Sequence, residues 1–261
     1  MSEKRERRLV FGEVAELYDA HRPSYPAPLI DDLVALAGLD GRETVLEVGA
    51  GTGKATRLFA CRGIPVLAVE PSEEMTAVAR RVCAGYPGVS VQRGDFERFD
   101  AGGRTFPLVF AAQSWHWVAP APGLAKAAEV LRSGGVLAPF WNRVLWAQCS
   151  ARDALSEIYR QTVPELDPAD DPMHPDHPWE SDETDWTEAI DGAAGLGEPE
   201  VRGYDWSQSY TAQRYAGLLA THSAVRLLPE RRRAALLDAV SEAVSAFELP
   251  MRTRLCLARR V

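Results

Sequence analysis

Three glycines at alternate positions directly follow a short β-rich run, and this feature most constrains the fold. The run spans residues 44–48 and ends in Gly49, Gly51 and Gly53, after which residues 56–60 have a helical pattern. Glycine has no Cβ, so the backbone can turn sharply there and approach a ligand closely. The helix start behind the loop offers unpaired N–H groups. Alone, the loop predicts a nucleotide-like ligand and no more.

Strands and helices alternate along the first half of the chain. Further strands are predicted at residues 65–70, 89–92, 107–112 and 136–140. Helices are predicted at residues 74–82, behind a Ser72 cap, and at residues 124–131. This alternation predicts a parallel sheet with helices on both faces. Pro139 cannot donate a ladder hydrogen bond, so we expect a bulge or a strand end there.

Two other regions flank this pattern. Residues 9–37 predict two short helices separated by a break, and residues 151–163 predict another helix. Residues 165–191 hold eleven carboxylates and four prolines but no Lys or Arg, which predicts an exposed loop, or alternatively a lid that orders over a substrate. Residues 200–210 and 252–259 predict strands, and residues 212–221 and 231–247 predict helices.

Suitable polar groups stand at successive strand ends. Glu70 ends the second strand roughly 20 residues past the loop, where an acid can accept both ribose hydroxyls. Asp95 ends the third strand and can accept from an adenine amino group, while Phe96 can pack on the ring. Gln113 and Ser114 follow the fourth strand. Because ligands of open α/β sheets bind at the carboxyl ends of the strands, these groups predict one site.

These segments resemble the class I S-adenosylmethionine (SAM)-dependent methyltransferases. The strings LEVGAGTG, AVEPS, GDF and AAQSWHWV stand in that family's usual order, and the resemblance runs from about residue 10 to 142. It implies an α/β fold with a Rossmann-like, seven-stranded, mostly parallel sheet. The whole chain, 1–261, would be one methyltransferase domain with N-terminal cap helices over 1–40. A helical and acidic insertion over 143–197 would precede the last two strands.

The opening FGEVAELYDAHRPSYP is similar to the cap of the small-molecule branch, typified by trans-aconitate methyltransferases. Tyr18 and Arg22 are thereby implied to approach the methionine end of SAM. The other residues implied to bind the cofactor are Glu47, Gly49, Ala50, Gly51, Thr52, Gly53, Glu70, Pro71, Met75, Asp95, Phe96, Gln113 and Ser114.

The expected reaction is methyl transfer to a carboxylate, hydroxyl, amine or carbon of a small molecule. His116 is the candidate general base for an acceptor that carries a proton, with a structural histidine as the alternative. Arg22 or Arg143 is a candidate anchor for a carboxylate acceptor, which would need no base. An aromatic pocket around the ends of strands four and five is predicted from Trp115, Trp117, Trp141 and Trp146.

Two other classes of protein compete with this interpretation. A NAD(P)-dependent oxidoreductase requires a small residue at the third glycine position of its G-x-G-x-x-G loop. This chain has Lys54 at that position. A non-catalytic SAM-binding regulatory protein would keep the same cofactor residues, but no partner surface is marked in the sequence.

Composition and charge limit the substrates, membranes and metals with which this chain is expected to interact. A net charge of −8 opposes a large phosphate-binding surface, so nucleic acid is not expected as a substrate. No apolar stretch approaches the ~20 residues of a membrane helix, and the N-terminus does not resemble a secretory signal, so a cytoplasmic protein is expected. Four scattered cysteines and the two histidines of residues 173–177 lack metal-site spacing, so no metal is predicted. The oligomeric state is left open.

Overall fold

A computed structural model describes residues 14–178 and 186–261 of the chain. Its strands are β1 (Val45–Val48), β2 (Val66–Glu70), β3 (Val89–Arg93), β4 (Phe106–Ala112), β5 (Leu131–Val144), β6 (Glu200–Tyr210) and β7 (Phe247–Arg259). Its helices are α1 (Ala15–His21), α2 (Ala27–Leu36), α3 (Lys54–Ala60), α4 (Glu73–Val82), α5 (Pro120–Val130), α6 (Arg152–Thr162), α7 (Trp186–Asp191), α8 (Ala212–Leu219), α9 (Ser223–Leu227) and α10 (Glu230–Ala243). Predictions for residues 9–13 and 179–185 lie outside the described residues.

The seven strands form one sheet in the order β3-β2-β1-β4-β5-β7-β6. The pairs β1–β2, β1–β4, β2–β3 and β4–β5 are parallel. Strand β7 runs against β5, because Gly134 N donates to Arg260 O while Leu145 N donates to Pro250 O, so the partner number falls as β5 advances. The predicted Rossmann-like, seven-stranded and mostly parallel sheet is confirmed.

The chain divides into two compact units. Among the described residues, the sheet unit comprises residues 24–142, 186–204 and 253–261. Strands β1, β2 and β4 are buried on both faces except for half-buried Ala112, as a sheet covered by helices on both sides requires, whereas the edge strand β3 is half-buried to exposed. In β2, Val66 and Ala68 face one apolar cluster while Leu67 and Val69 face the other.

Among the described residues, the helical unit comprises residues 14–23, 143–178 and 205–252. Its core contains three buried tyrosines, Tyr159, Tyr210 and Tyr215, packed with leucines from α6, α8 and α10. The ring of Tyr215 meets Phe247 edge-on with 5.1 Å between centroids. The functional division into a cap over 1–40 and an insertion over 143–197 stays a prediction.

Two local predictions are wrong. Pro139 interrupts nothing: β5 is continuous through it, and the irregularity of the β4–β5 pairing lies between Phe106 and Leu108. Phe140 O accepts from Gln113 N on the β4 side, so the nitrogen of Pro139, one residue earlier, faces the other way. No bond to β4 is therefore lost there.

The acidic segment is the second correction. Asp171, Met173, His174 and His177 are buried, so residues 171–177 do not form an exposed loop. A carboxylate-rich composition predicts exposure on average, but it does not reveal which carboxylates find partners inside the protein.

No helix among residues 14–178 and 186–261 is long and apolar enough to cross a membrane.

The packing of α2 against the sheet-unit core can be tested with two helical leucines. Leu33 has no exposed surface, whereas Leu227 in α9 is 60% exposed. We expect Leu33→Ala to lower the free energy of unfolding by about 2–5 kcal/mol through lost burial and a cavity. Leu227→Ala should change it by less than about 0.5 kcal/mol. Urea unfolding measures both, and equal effects would contradict the assigned burial.

Candidate functional site

The glycine loop after β1 has a backbone that other residues rarely adopt. Gly49, Gly51 and Gly53 have φ angles of 65°, 57° and 81°. A Cβ on Gly49 would lie 2.6 Å from Cβ of Ser114, so close approach adds to the conformational requirement. The loop therefore needs glycine at Gly49 for two independent reasons.

The carboxylate of Glu70 at the end of β2 holds this loop. Gly51 N donates to Oε2 at 2.8 Å and Ser72 N donates to Oε1 at 2.9 Å. Gly49 N also donates to Val69 O at 2.8 Å. The side chain of Ser72 in turn accepts from Met75 N, which confirms the predicted cap of α4. Glu70 is thus fixed beside the loop, and only 7% of the surface of this residue is exposed.

A second acid, Glu47, is buried beneath the loop. Thr56 Oγ1 donates to its Oε2 at 2.5 Å. Burial raises the pKa of Glu47 to about 8, against the lowering effect of the Thr56 hydrogen bond, and the charge of Glu70 raises it further. Within the described residues, Glu47 Oε1 and Thr52 Oγ1 are buried without a hydrogen-bond partner. Such atoms can accept hydrogen bonds from a cationic ligand.

The end of β4 meets the same loop. Gln113 has a φ of 61°, and no other non-glycine residue among those described has a positive φ. Its N donates to Phe140 O at 2.9 Å. Ser114 Oγ donates to Val48 O at 2.5 Å, which ties this strand end to β1. A strained backbone of this kind persists where the surroundings fix it, and such residues cluster at functional sites.

The two residues predicted to contact adenine, which follow the end of β3, differ in their exposure. Asp95 is exposed, whereas Phe96 is 3% exposed and packs against Trp115 with 5.8 Å between ring centroids. Phe96 is thus mainly a core residue. A role for its ring beside a cofactor stays a prediction.

His116 is exposed just past β4, and its Nδ1 accepts a hydrogen bond from Trp141 Nε1 at 3.2 Å. In that arrangement a neutral imidazole carries its proton on Nε2. The ring of Trp141 stacks on Trp186, with 6.2 Å between centroids and 11° between planes. The sequence did not indicate Trp186, because it lies in the acidic segment without a periodic pattern.

Of the four tryptophans in the predicted aromatic pocket, Trp115 and Trp141 lie in one apolar cluster, where each ring contacts Trp186, and the pocket itself stays a prediction. Trp115 has no exposed surface and belongs to the core of the sheet unit. Trp146 belongs to the core of the helical unit. The prediction grouped them by position in the chain, which does not determine the unit in which a side chain packs.

Tyr18 and Arg22 lie together in the helical unit. The guanidinium of Arg22 lies over the Tyr18 ring, 4.9 Å from its centroid. Arg22 also donates to Thr221, from Nε to Oγ1 at 2.8 Å and from Nη2 to the carbonyl at 2.9 Å. Thr221 was not predicted, since its contact to Arg22 spans 199 positions of the chain.

No group of three or more His, Cys, Asp or Glu that could hold a metal is found in the described ranges.

Known proteins with related sequences place this arrangement in a family. Residues 45–135 match a methyltransferase domain family. A methyltransferase of uncharacterised function from Mycobacterium tuberculosis (strain H37Rv) is 33% identical over 235 residues, which cover 85% of this chain and 90% of the relative. This chain is a class I SAM-dependent methyltransferase.

Solved structures agree with the fold of the methyltransferase. A protein described as a type II methyltransferase from Anaeromyxobacter dehalogenans is 22% identical with a TM-score of 0.62, covering 91% of this chain and 97% of that one. A phosphoethanolamine N-methyltransferase from Haemonchus contortus, solved with phosphomonomethylethanolamine and S-adenosylhomocysteine, is 14% identical with a TM-score of 0.55. The match covers 96% of this chain and 56% of that one.

Burial of Glu47 makes the stability of the methyltransferase depend on pH. The pKa is about 8 in the folded chain and near 4.5 when unfolded, so the contribution of neutral Glu47 is complete below about pH 4.5 and disappears as pH rises through about 8. Glu47→Gln removes this titration. Between about pH 5 and 8 the variant should lose roughly 3 kcal/mol less stability than the wild type.

Denaturant unfolding across this pH range measures the difference. Glu73→Gln is the matched control, because Glu73 lies on the surface in an ion pair with Arg93, and its stability should follow the wild-type curve. Parallel pH curves for Glu47→Gln and wild type would show that Glu47 titrates alike in the folded and unfolded states.

Proposed function

We propose that this methyltransferase binds SAM on its sheet unit and methylates a small-molecule acceptor. The observation that carries the proposal is the carboxylate of Glu70, held by Gly51 N and Ser72 N beside the glycine loop. A carboxylate has about four acceptor positions, and the two backbone donors use one on each oxygen. Ribose hydroxyls can therefore be bound by a carboxylate whose orientation the backbone already sets.

The remaining cofactor contacts follow from the chemistry at each strand end. We assign the methionine part to Gly49, Ala50, Gly51, Thr52 and Gly53, the ribose region to Glu70, Pro71 and Met75, the adenine to Asp95 and Phe96, and adjoining contacts to Gln113 and Ser114. The unpaired Glu47 Oε1 fits an ammonium group, which would supply the missing donor and favour the ionised acid. Tyr18 and Arg22 stay predictions for the methionine end. The Haemonchus contortus complex with S-adenosylhomocysteine supports this cofactor through its shared fold.

The protein's task in such a reaction is alignment. Bound SAM supplies a methyl group on a sulfonium centre that is already activated for in-line displacement. Holding donor and acceptor in line and excluding water can supply roughly 7–11 kcal/mol of the barrier. The rigid loop bonds to Glu70 and Val69 suit this role, because they fix the backbone before a ligand binds.

A small molecule is the proposed acceptor. The net charge of −8 disfavours a nucleic-acid surface. A labelled-methyl screen across small acids, phenols and amines identifies the acceptor class. Incorporation into none of them, with SAM binding intact, would favour a binding protein without catalysis.

His116 is the proposed general base for an acceptor that carries a proton. Its Nδ1 is engaged by Trp141, so proton uptake there requires that this hydrogen bond be exchanged. A carboxylate acceptor would make a base unnecessary, and Arg22 or Arg143 would then be the proposed anchor.

Removing the Glu70 carboxylate should weaken cofactor binding selectively. We expect Glu70→Ala to reduce SAM affinity by about 100-fold, because charge-assisted hydrogen bonds and the loop tether are lost together. Glu73→Ala, three residues away on the exposed face of α4, should leave affinity unchanged. Isothermal titration with SAM and S-adenosylhomocysteine measures both, and unchanged binding in Glu70→Ala would reject the assigned ribose site.

Removing His116 should affect turnover and not cofactor binding. We expect His116→Ala to lower kcat by about 100-fold or more with an acceptor that carries a proton, while the Kd for SAM stays within about twofold. Trp141→Phe removes the indole N–H and should lower kcat less, because the imidazole itself is retained. Wild-type turnover in His116→Ala would exclude the base role.

A further inference from the structure

The carboxyl group of Glu47 beneath the glycine loop lies in apolar surroundings with a single hydrogen-bond donor. Strand pairing places Ala68 of β2 and Phe110 of β4 beside Glu47, and both belong to one apolar cluster. Glu47 is 1% exposed, and its donor among the described residues is the Thr56 hydroxyl, which bonds Oε2. A buried carboxyl group with one neutral donor favours its uncharged form.

The charged groups around Glu47 reinforce this preference. Burial raises the pKa of Glu47 to about 8, and the like charge of Glu70 at the end of β2 contributes to the rise, which the Thr56 hydrogen bond opposes. Lys54 and Arg57 lie on α3, as Thr56 does, but their charges are not among the causes of this shift. In the free protein Glu47 is therefore neutral at neutral pH.

The hydrogen bond from Thr56 also indicates which oxygen of Glu47 carries the proton. Oε2 accepts from Thr56 Oγ1 at 2.5 Å, so Oε1 is the oxygen that remains for the proton. Oε1 is buried and has no hydrogen-bond partner among residues 14–178 and 186–261. Because buried polar atoms are nearly always bonded, this atom indicates a missing ligand.

An ammonium group cannot bond Oε1 while the proton is there. It has three N–H donors and no acceptor, so it would face the O–H donor of a neutral acid. Once the proton leaves, Oε1 offers lone pairs and a negative charge. The apolar surroundings that disfavour an isolated carboxylate then strengthen its attraction to the opposite charge.

We propose that Glu47 releases a proton when the ammonium group of SAM binds, so that the affinity for the cofactor increases with pH. This inference rests on the proposed function and adds regulation to the same site. The O–H bond of Glu47 breaks, its electron pair stays on Oε1 to accept from the ammonium group, and the proton passes to the solvent.

The first test counts the protons released at pH 6.5. Isothermal titration of the full chain with SAM in phosphate and in imidazole buffer, which differ in heat of ionisation, should give about 0.8–1 proton per SAM, because nearly all Glu47 is neutral at this pH. S-adenosylhomocysteine has the same ammonium group and should release as many. Methylthioadenosine lacks the amino-acid part and should release none.

The second test measures SAM affinity between pH 5.5 and 7.5. The affinity of the wild type should rise roughly 20- to 80-fold over this range, because ionised Glu47 becomes more abundant as pH approaches about 8. The ratio of the affinities for SAM and S-adenosylhomocysteine should stay constant, because both ligands displace the same proton.

Two glutamine variants assign the proton to Glu47. Glu47→Gln keeps a carbonyl acceptor without an acidic proton, so it should release no proton and change its SAM affinity less than about threefold over the same pH range. It retains His116 and the other titratable groups, so any pH dependence that they cause would persist in it. Glu73→Gln is the matched control, because Glu73 is exposed in an ion pair with Arg93, and it should behave as the wild type.

Thr56 is a positioning residue for the ionised acid. Thr56→Val removes the donor to Oε2 at nearly constant volume and should lower SAM affinity about tenfold, whereas Thr56→Ser retains the hydroxyl and should stay within about threefold of wild type. Methylthioadenosine should bind both variants alike. A general disturbance of the loop would instead weaken the binding of every ligand.

Three outcomes overturn the proposal. They are release of less than about 0.2 proton by the wild type, equal release by Glu47→Gln, and a SAM affinity that does not depend on pH. The same titrations distinguish the two proposals. A wild type that binds no SAM at any pH would refute the proposed function, whereas SAM binding without proton release refutes only the proton release from Glu47.

Discussion

The carboxylate of Glu70 is the interaction on which the site of the sheet unit depends. Two backbone N–H groups, one from the glycine loop and one from the start of α4, donate to its two oxygens. The loop needs such an external tether, because its three glycines adopt positive φ angles and gain no stability from regular secondary structure. A side chain that can bind ribose therefore also sets the shape of the loop that faces the methionine part of the proposed cofactor.

The parallel sheet makes it possible for one side chain, Glu70, to hold the loop and to be available for ribose. Strands β1, β2 and β4 end at the same edge, so Val48, Glu70 and Ser114 lie close enough for direct bonds between loops. Ser114 Oγ bonds Val48 O, and Ser114 also fills the space that a Cβ at Gly49 would need. The shape of the glycine loop and the packing of the strand ends thus depend on the same residue, Ser114. Because these surroundings fix the neighbouring backbone, the strained conformation of Gln113 is tolerated there.

Both units bury a carboxylic acid, and they compensate for its burial differently. Glu47 in the sheet unit has one hydrogen bond from Thr56, and burial raises its pKa to about 8. Asp171 in the helical unit has two donors and is also stabilised by the charge of Arg22. Burial of a charge is costly unless donors surround it. Glu47 Oε1 has no hydrogen-bond partner among the described residues, so the compensation is incomplete at that atom, which forms part of the proposed cofactor site.

The sequence by itself determined the alternating fold and the positions of the glycine loop and Glu70, because these follow from local periodicity and from the order of strands. Parallel strands carry their carboxyl ends to one edge, so spacing along the chain was enough to group those residues. It could not reveal that β5 continues through Pro139 without a bulge or an end, since the direction in which the nitrogen of Pro139 faces depends on strand pairing. Only the tertiary structure decided the packing of Asp171, Tyr215 and His222, and the apolar clusters to which Trp115 and Trp146 each belong. These side chains come from distant segments without local periodicity, and their partners are set by three-dimensional packing.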